Sequence, residues 1–372
     1  MTNGAVLLTG ATGFLGAVLA DALLARGDRV VALVRAPDAD AAERRMDAAL
    51  AQLHGEGVAV PGRDRLRAVP GDLVAPRLGL ARAARERLVD EVAAVVHCGA
   101  SITFDLPLDE ARAVNVGGTA EVLELVSALR AAPRLVHVST AFVAGRHEGV
   151  AGELTPPPLD VAFRNTYERT KAEAERLVAA SGIPAAIARP SIVMGEAGSG
   201  WTSAFNVLYW PLQAFSRGLL DELPADPDGV VDTIPVDAVA AGVLELLADP
   251  EEPTGAFALA AGPHAITVRE LAQVASHLLD RPAPRFTAAG GDALQAAGGQ
   301  GAVYVPYFDV ATRFATDRGA ALLARAGVDV PRLPEHLPAL LHHARAARWG
   351  RRARTRAQAR GDLPAAAERA AA

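Results

Sequence analysis

The sequence predicts an α/β fold: a Rossmann-type doubly wound parallel sheet with a smaller, interleaved C-terminal substrate lobe. Three observations carry that prediction. Short, nearly all-apolar runs alternate with longer helical patterns through the first half of the chain. Strands buried on both faces of a parallel sheet look like this, and the alternation implies right-handed βαβ units. A glycine-rich turn, Gly10-Ala-Thr-Gly13-Phe-Leu-Gly16, follows the first such run and opens the first helix.

Taken in order, strands are expected over 5–9, 29–35, 93–97, 134–139 and 185–189, the last stopped by Pro190. Helices are expected between them, including 14–26 and 118–131. After Pro190 the pattern changes to a glycine-rich loop at 195–200, then an aromatic stretch with Trp201, Phe205, Tyr209, Trp210 and Phe215. The segment Ile234–Asp237 opens another helix, and 256–260 has the composition of a strand rejoining the sheet. The expected organisation is therefore a dinucleotide-binding domain over 1–193, with 230–262 returning to it. The substrate lobe is formed by 194–229 and 263–345. Residues 287–301 read as a loop. The Arg- and Ala-rich tail at 346–372 reads as a frayed or disordered helix with a solvated face.

Composition narrows the function. The chain has 372 residues, a net charge of -6 and a single cysteine, Cys98. That balance gives no general attraction to nucleic acid or an anionic membrane. One cysteine excludes an intrachain disulfide and a cysteine metal cluster. It fits a reducing, cytoplasmic setting. The uncharged opening is cut by the glycine turn and lacks a basic start, so it reads as strand, turn and helix rather than a signal peptide. No integral membrane segment is expected, and the assembly expected is a monomer or homodimer. His336, His342 and His343 lack supporting acids at metal-ligand spacing, and no metal is expected.

The glycine turn supplies backbone N–H groups at a helix N-terminus, the arrangement that receives a pyrophosphate. Gly10, Thr12, Gly13, Phe14, Leu15 and Gly16 are its candidate contacts. After the second strand comes Arg35, with no acid before Asp38. An acid there would bind the adenosine ribose hydroxyls of NAD, whereas an arginine receives a 2′-phosphate. NADPH is therefore the expected cofactor, with Arg45 as a second basic contact. Asp72 and Leu73, just past the third strand, suit the adenine.

Of 37 basic residues only Lys171 is lysine, and it stands four residues after one of only four tyrosines, Tyr167. On a helix the two project from one face. A tyrosine hydroxyl, with a pKa near ~10, is a poor acid or base at neutral pH. A neighbouring ammonium is expected to lower it and to hydrogen-bond the nicotinamide ribose, which a planar guanidinium cannot do as a compact charge. Thr140, at the end of a buried strand, is the candidate to polarise the substrate carbonyl, ahead of its neighbour Ser139. His97 reads as a satisfied core histidine and Cys98 as a small buried hydrophobe. The stretch from Trp201 to Phe215 is equally readable as core packing or as the wall of an apolar substrate channel.

The order of these motifs resembles the extended short-chain dehydrogenases over roughly residues 4–345. Within them, Ala100–Leu108, Asn115–Thr119, His137–Phe142, Arg189–Val193 and Asp232–Asp237 resemble the fatty acyl-CoA reductase (male-sterility) and thioester reductase branch. The resemblance implies an oxidoreductase in which NADPH reduces an acyl thioester to an aldehyde, sometimes onward to an alcohol. It also implies Thr140, Tyr167 and Lys171 as the catalytic triad, with Asn115, His97, Cys98, Gly99, Ala100, Pro190, Ser191 and Ile192 beside the cofactor. The acyl group would arrive on coenzyme A or on a carrier protein. The alternative is an extended dehydrogenase acting on a hydroxyl or keto group of a steroid-like, polyketide or nucleotide-sugar substrate.

Overall fold

The computed structural model describes residues 4–131, 133–153, 155–248, 254–287 and 302–362. Its centre is a seven-stranded sheet: β1 (Ala5–Thr9), β2 (Val30–Val34), β3 (Leu66–Pro70), β4 (Val92–His97), β5 (Arg134–Val138), β6 (Ala185–Pro190) and β7 (Gly255–Leu259). The spatial order is β7-β6-β5-β4-β1-β2-β3, and every pairing is parallel. The order of winding reverses between β1 and β4, where a doubly wound sheet opens its crevice.

Strand alternation divides the core into two layers. From β1, Val6 and Leu8 pack with the helices Phe14–Arg26, Ala39–His54 and Val236–Ala248. Ala5 and Leu7 face the other way, toward Leu88, Val122 and Val178 of the helices Arg82–Glu91, Gly118–Ala128 and Thr166–Ala180. A third apolar cluster forms the lobe, around the helices Tyr209–Ser216, Val268–Leu279 and Leu333–Ala346. Among the described residues no helix is long and apolar enough to cross a membrane.

Three features depart from the sequence expectations. The helix Asp317–Arg325, expected in the lobe, packs on β7 so closely that a Cβ on Gly319 would lie 1.8 Å from the Ala258 carbonyl oxygen. Its apolar Leu322 and Leu323 complete the dinucleotide-domain core. Conversely, Gly149–Ala151, expected in the first domain, pairs with the lobe strand Thr312–Phe314. The tail is not frayed where it is described. The helix Arg356–Gly361 buries Ala359, pairs Arg356 with Asp21 and pairs Arg360 with Glu196. Arginines that read as solvated find acids of this same chain, which a linear sequence cannot show. Most of the expected loop at 287–301 lies outside the described residues.

Candidate active site

The candidate residues gather at the carboxyl edge of the sheet because the loops that carry them leave successive parallel strands. After β1, Gly10 turns in the left-handed region at φ 72, and a Cβ there would meet the backbone of Cys98 and Gly99 at 2.8 Å. A Cβ on Gly16 would lie 2.0 Å from the Gly10 carbonyl oxygen, so the helix can start this close to the strand only with glycine. Gly13 is exposed at the helix N-terminus, which has no side-chain cap and no acid in its first turn. Those amides and the positive end of the helix dipole face outward between Thr12, Phe14 and Leu15. The geometry fits a pyrophosphate.

The floor of this crevice is tied together by side chains. Thr9 Oγ1 accepts the Gly99 amide at 3.0 Å and contacts His97 Nδ1 at 2.8 Å, while His97 Nε2 lies 3.1 Å from Thr119 Oγ1. Burial lowers the His97 pKa to about 3, so it stays neutral and holds the loop of Cys98, Gly99 and Ala100. Burial raises the Cys98 thiol to about 11. Leu73 rests against Gly99 and Gly118, where an added Cβ would come within 3.0 Å of it. Asp72 accepts the Val74 amide at 3.2 Å. On the other flank, the Ser191 amide donates to Leu259 O and the Ile192 amide to Asp232 O, which extends the edge beyond Pro190.

At the end of β2, Arg35 is exposed, and the Arg45 guanidinium donates to its carbonyl. The first acid, Asp38, is occupied as the N-cap of the next helix, accepting the Ala41 amide at 2.7 Å. The Arg45 side chain is thus anchored at the end of β2, while Asp38 is engaged by the helix it caps.

Tyr167 and Lys171 sit on the helix Thr166–Ala180, whose N-cap Asn165 accepts the Glu168 amide at 2.9 Å. Asn115, in a single π-helical turn, joins this helix to the Ser101 loop. Its Nδ2 donates to Thr170 Oγ1 at 2.9 Å and its Oδ1 accepts the Ser101 amide at 2.8 Å. Wide turns of this kind recur at functional sites. Lys171 is buried, and its Nζ donates to Val138 O at 2.7 Å. Burial lowers its pKa to about 8. Thr140 is buried at the end of β5, with Oγ1 donating to Pro190 O at 3.3 Å. The Ser139 hydroxyl is buried without a partner among the described residues.

One electrostatic expectation is corrected. Tyr167 is raised above the usual phenol range by burial, against an opposing hydrogen bond with Thr140. Lys171 directs its hydrogen bond to the Val138 carbonyl, and the low-dielectric surroundings of the phenol dominate its shift.

Of the two readings of the stretch 201–215, Trp201 and Tyr209 follow core packing. Trp201 is buried against Phe14, with ring centroids 5.7 Å apart, and its Nε1 donates to Arg354 O at 3.0 Å. Tyr209 is buried with its hydroxyl accepting the Gly195 amide at 3.2 Å. Both are packing residues. The aromatics around Tyr167 are instead Phe104, stacked on it at 5.6 Å, and Tyr304 and Tyr307, which contact Phe104 at 5.6 and 5.2 Å. Asn165 Nδ2 donates to the Tyr307 hydroxyl at 3.0 Å, tying the catalytic helix to the lobe. Nothing in the spacing of Tyr304 and Tyr307 marks them, because the lobe brings them in from a distant segment. His336 and His343 donate to the carbonyls of Glu196 and Thr202, each at 3.1 Å.

Residues 8–243 match the family model described as Male sterility protein. Fatty acyl-CoA reductase 1 of Mus musculus is 30% identical over 271 residues, covering 63% of this chain and 52% of that protein. Isonitrile lipopeptide synthase of Streptomyces coeruleorubidus is 34% identical over 261 residues, covering 68% of this chain and 17% of that protein. The chain thus spans about half the length of the curated acyl-CoA reductases it matches. In fold it is similar to the terminal R domain of the myxalamid PKS-NRPS pathway, with TM-score 0.81, 24% identity, and 95% and 93% of the two chains covered. A thiolation-reductase di-domain from an archaeal non-ribosomal peptide synthetase superposes at TM-score 0.72 with 19% identity, covering 94% of this chain and 77% of that one.

Proposed function

Since the chain belongs to the male sterility protein family, in the acyl-CoA and thioester reductase branch of the extended short-chain dehydrogenases, we propose that it is an NADPH-dependent reductase. Its substrate in this reading is an acyl thioester and its product an aldehyde. The observation that carries the proposal is the meeting of Thr140, Tyr167 and Lys171 at the sheet's carboxyl edge, under the apolar wall of Phe104, Tyr304 and Tyr307.

The bound nicotinamide would supply the hydride. Gly10, Gly13 and the amides of the first helix would receive its pyrophosphate, Arg35 and Arg45 its 2′-phosphate, and Lys171 a ribose hydroxyl. Thr140 and Tyr167 hold the carbonyl oxygen of the thioester. As that oxygen becomes an oxyanion, the phenol of Tyr167 donates its proton to it. Lys171, a buried cation behind the pair, stabilises the phenolate this leaves. The resulting hemithioacetal collapses to aldehyde and free thiol. The aromatic wall excludes water and lies against the acyl chain.

The test is to mix purified protein, NADPH and a panel of acyl thioesters, following loss of NADPH absorbance and release of free thiol together. Equal amounts of both are expected. NADPH consumption with ketones or alcohol-derived aldehydes and no thiol from any thioester would move the chain to the dehydrogenase class.

A further inference from the structure

On the outer face of the lobe, five arginines open onto one cleft of about 640 Å³: Arg217, Arg345, Arg348, Arg351 and Arg352, with Trp349 among them. All five are exposed, and among the described residues none has a carboxylate partner. Their neighbours behave differently: Arg354, Arg356 and Arg360 are matched by Asp362, Asp21 and Glu196. Residues 345–356 contain six arginines and no acid, in a chain whose net charge is -6. Unmatched guanidiniums converging on one concavity repel one another, so the arrangement is suited to a polyanion.

The backbone is strained to build it. Past the helix Leu333–Ala346, Arg348, Trp349 and Gly350 are successively left-handed, at φ 49, 55 and 86. The first two have side chains, for which that region costs roughly 1–2 kcal/mol per residue. The turn is pinned by the amides of Trp349 on Ala344 O at 2.7 Å and Arg352 on Ala347 O at 3.0 Å. It spreads the arginines around a half-buried indole.

A chain of contacts links the turn that builds the cleft to the wall of the proposed active site. A Cβ on Gly350 would lie 2.9 Å from the Phe205 ring, and two residues on, Val207, itself left-handed at φ 44, donates its backbone amide to the Tyr304 hydroxyl. Tyr304 contacts Phe104, which stacks on Tyr167. We infer that this cleft binds the 3′-phosphoadenosine diphosphate end of a coenzyme A thioester. The phosphates lie on the guanidiniums, the adenine on Trp349, and the pantetheine arm runs along the wall toward Tyr167. The inference rests on the thioester reading of the catalytic site. An indole set among arginines in a concavity recognises a phosphorylated base through stacking and charge together. The acidic helix of a carrier protein would use the charges and leave the indole without a counterpart.

Binding and turnover test it separately. With NADPH saturating, coenzyme A is titrated into the wild type and into Arg348→Ala/Arg351→Ala by calorimetry. The variant should bind coenzyme A at least tenfold more weakly, and the wild type should bind pantetheine far more weakly than coenzyme A. Trp349→Phe should abolish the quenching of indole fluorescence by coenzyme A. In turnover, the ratio of kcat/KM for an acyl-CoA to that for the N-acetylcysteamine thioester should fall at least tenfold in the double variant. It should stay constant in Arg82→Ala, whose side chain is 92% exposed on another face. Unchanged melting temperatures exclude misfolding. Equal wild-type affinity for coenzyme A and pantetheine would overturn the inference, as would arginine dependence seen only with an acyl-carrier protein. Should no thioester be reduced at all, the catalytic reading fails, and the binding titration alone decides the cleft.

Discussion

Replacing Lys171 by methionine should abolish turnover while leaving the protein folded, and the cost can be worked from its surroundings. The side chain is buried, and its pKa falls from 10.5 to about 8. A tenfold change in proton affinity is about 1.36 kcal/mol, so carrying the charge inside costs the folded state roughly 3 kcal/mol at neutral pH. Methionine removes that cost but strands the Val138 carbonyl, a penalty of about 1–3 kcal/mol. The two nearly cancel at pH 7. They do not cancel at higher pH. Between pH 8 and 10.5 the unfolded lysine keeps its proton while the folded one has released it. The unfolded state then binds more protons, and wild-type stability rises with pH relative to the variant. Urea unfolding of both proteins from neutral pH to the ordinary lysine pKa should therefore show their difference growing by about 3 kcal/mol in favour of wild type. It should be flat below pH 8. Wild-type kcat/KM should fall above that pH as the ammonium is lost, and Lys171→Arg should be nearly inactive because its guanidinium overfills the space below Val138. A pH-independent stability difference, or turnover in the methionine variant near that of wild type, would refute this account of the lysine.

Other perturbations separate the remaining roles. Tyr167→Phe removes only the proton donor, so turnover should fall at least a hundredfold while NADPH affinity, read by fluorescence, stays within a factor of about two. Arg35→Ala should weaken NADPH binding by roughly ten- to a hundredfold and leave NADH alone, since a charge-assisted contact contributes about 1.5–3 kcal/mol. Equal use of both cofactors by wild type would sink the assignment of Arg35. Phe104→Ala opens the wall over Tyr167 and should change the preferred acyl length, whereas Tyr209→Phe should affect stability without changing it; comparing kcat/KM across chain lengths distinguishes them. Glu153→Ala should lower stability by about 2–4 kcal/mol in urea, because its carboxylate accepts the amides of Ala258, Arg318 and Gly319 and binds β7 to the helix covering it.

What the sequence made legible was whatever local chemistry forces. The apolar runs of β1, β2, β4, β5 and β6 read as buried strands, and Gly10 and Gly16 stand where any side chain collides with backbone. Lys171 was conspicuous because arginine had replaced lysine at every other basic position, so its survival marked a site where shape matters as well as charge. The tyrosine's ionisation was not legible. It depends on how the low-dielectric interior around Tyr167 weighs against an ammonium that turns to Val138, and spacing along a helix fixes neither.

The site's aromatic wall and the tail's partners were illegible for a shared reason. An aromatic stretch such as 201–215 announces burial, but not which core receives it: Trp201 joins the dinucleotide domain against Phe14 while Tyr209, eight residues on, joins the lobe. The rings that do face Tyr167 come from Phe104 and from Tyr304 and Tyr307, about two hundred residues apart in sequence. The arginines of 345–362 are alike in composition, yet three meet acids of this chain and the rest, among the described residues, stand unmatched around Trp349. A repeated residue type acquires separate roles only when the fold has sorted its members by what lies opposite. Structure is informative for this family where identical side chains end up with different partners, and function is to be sought among those left without one.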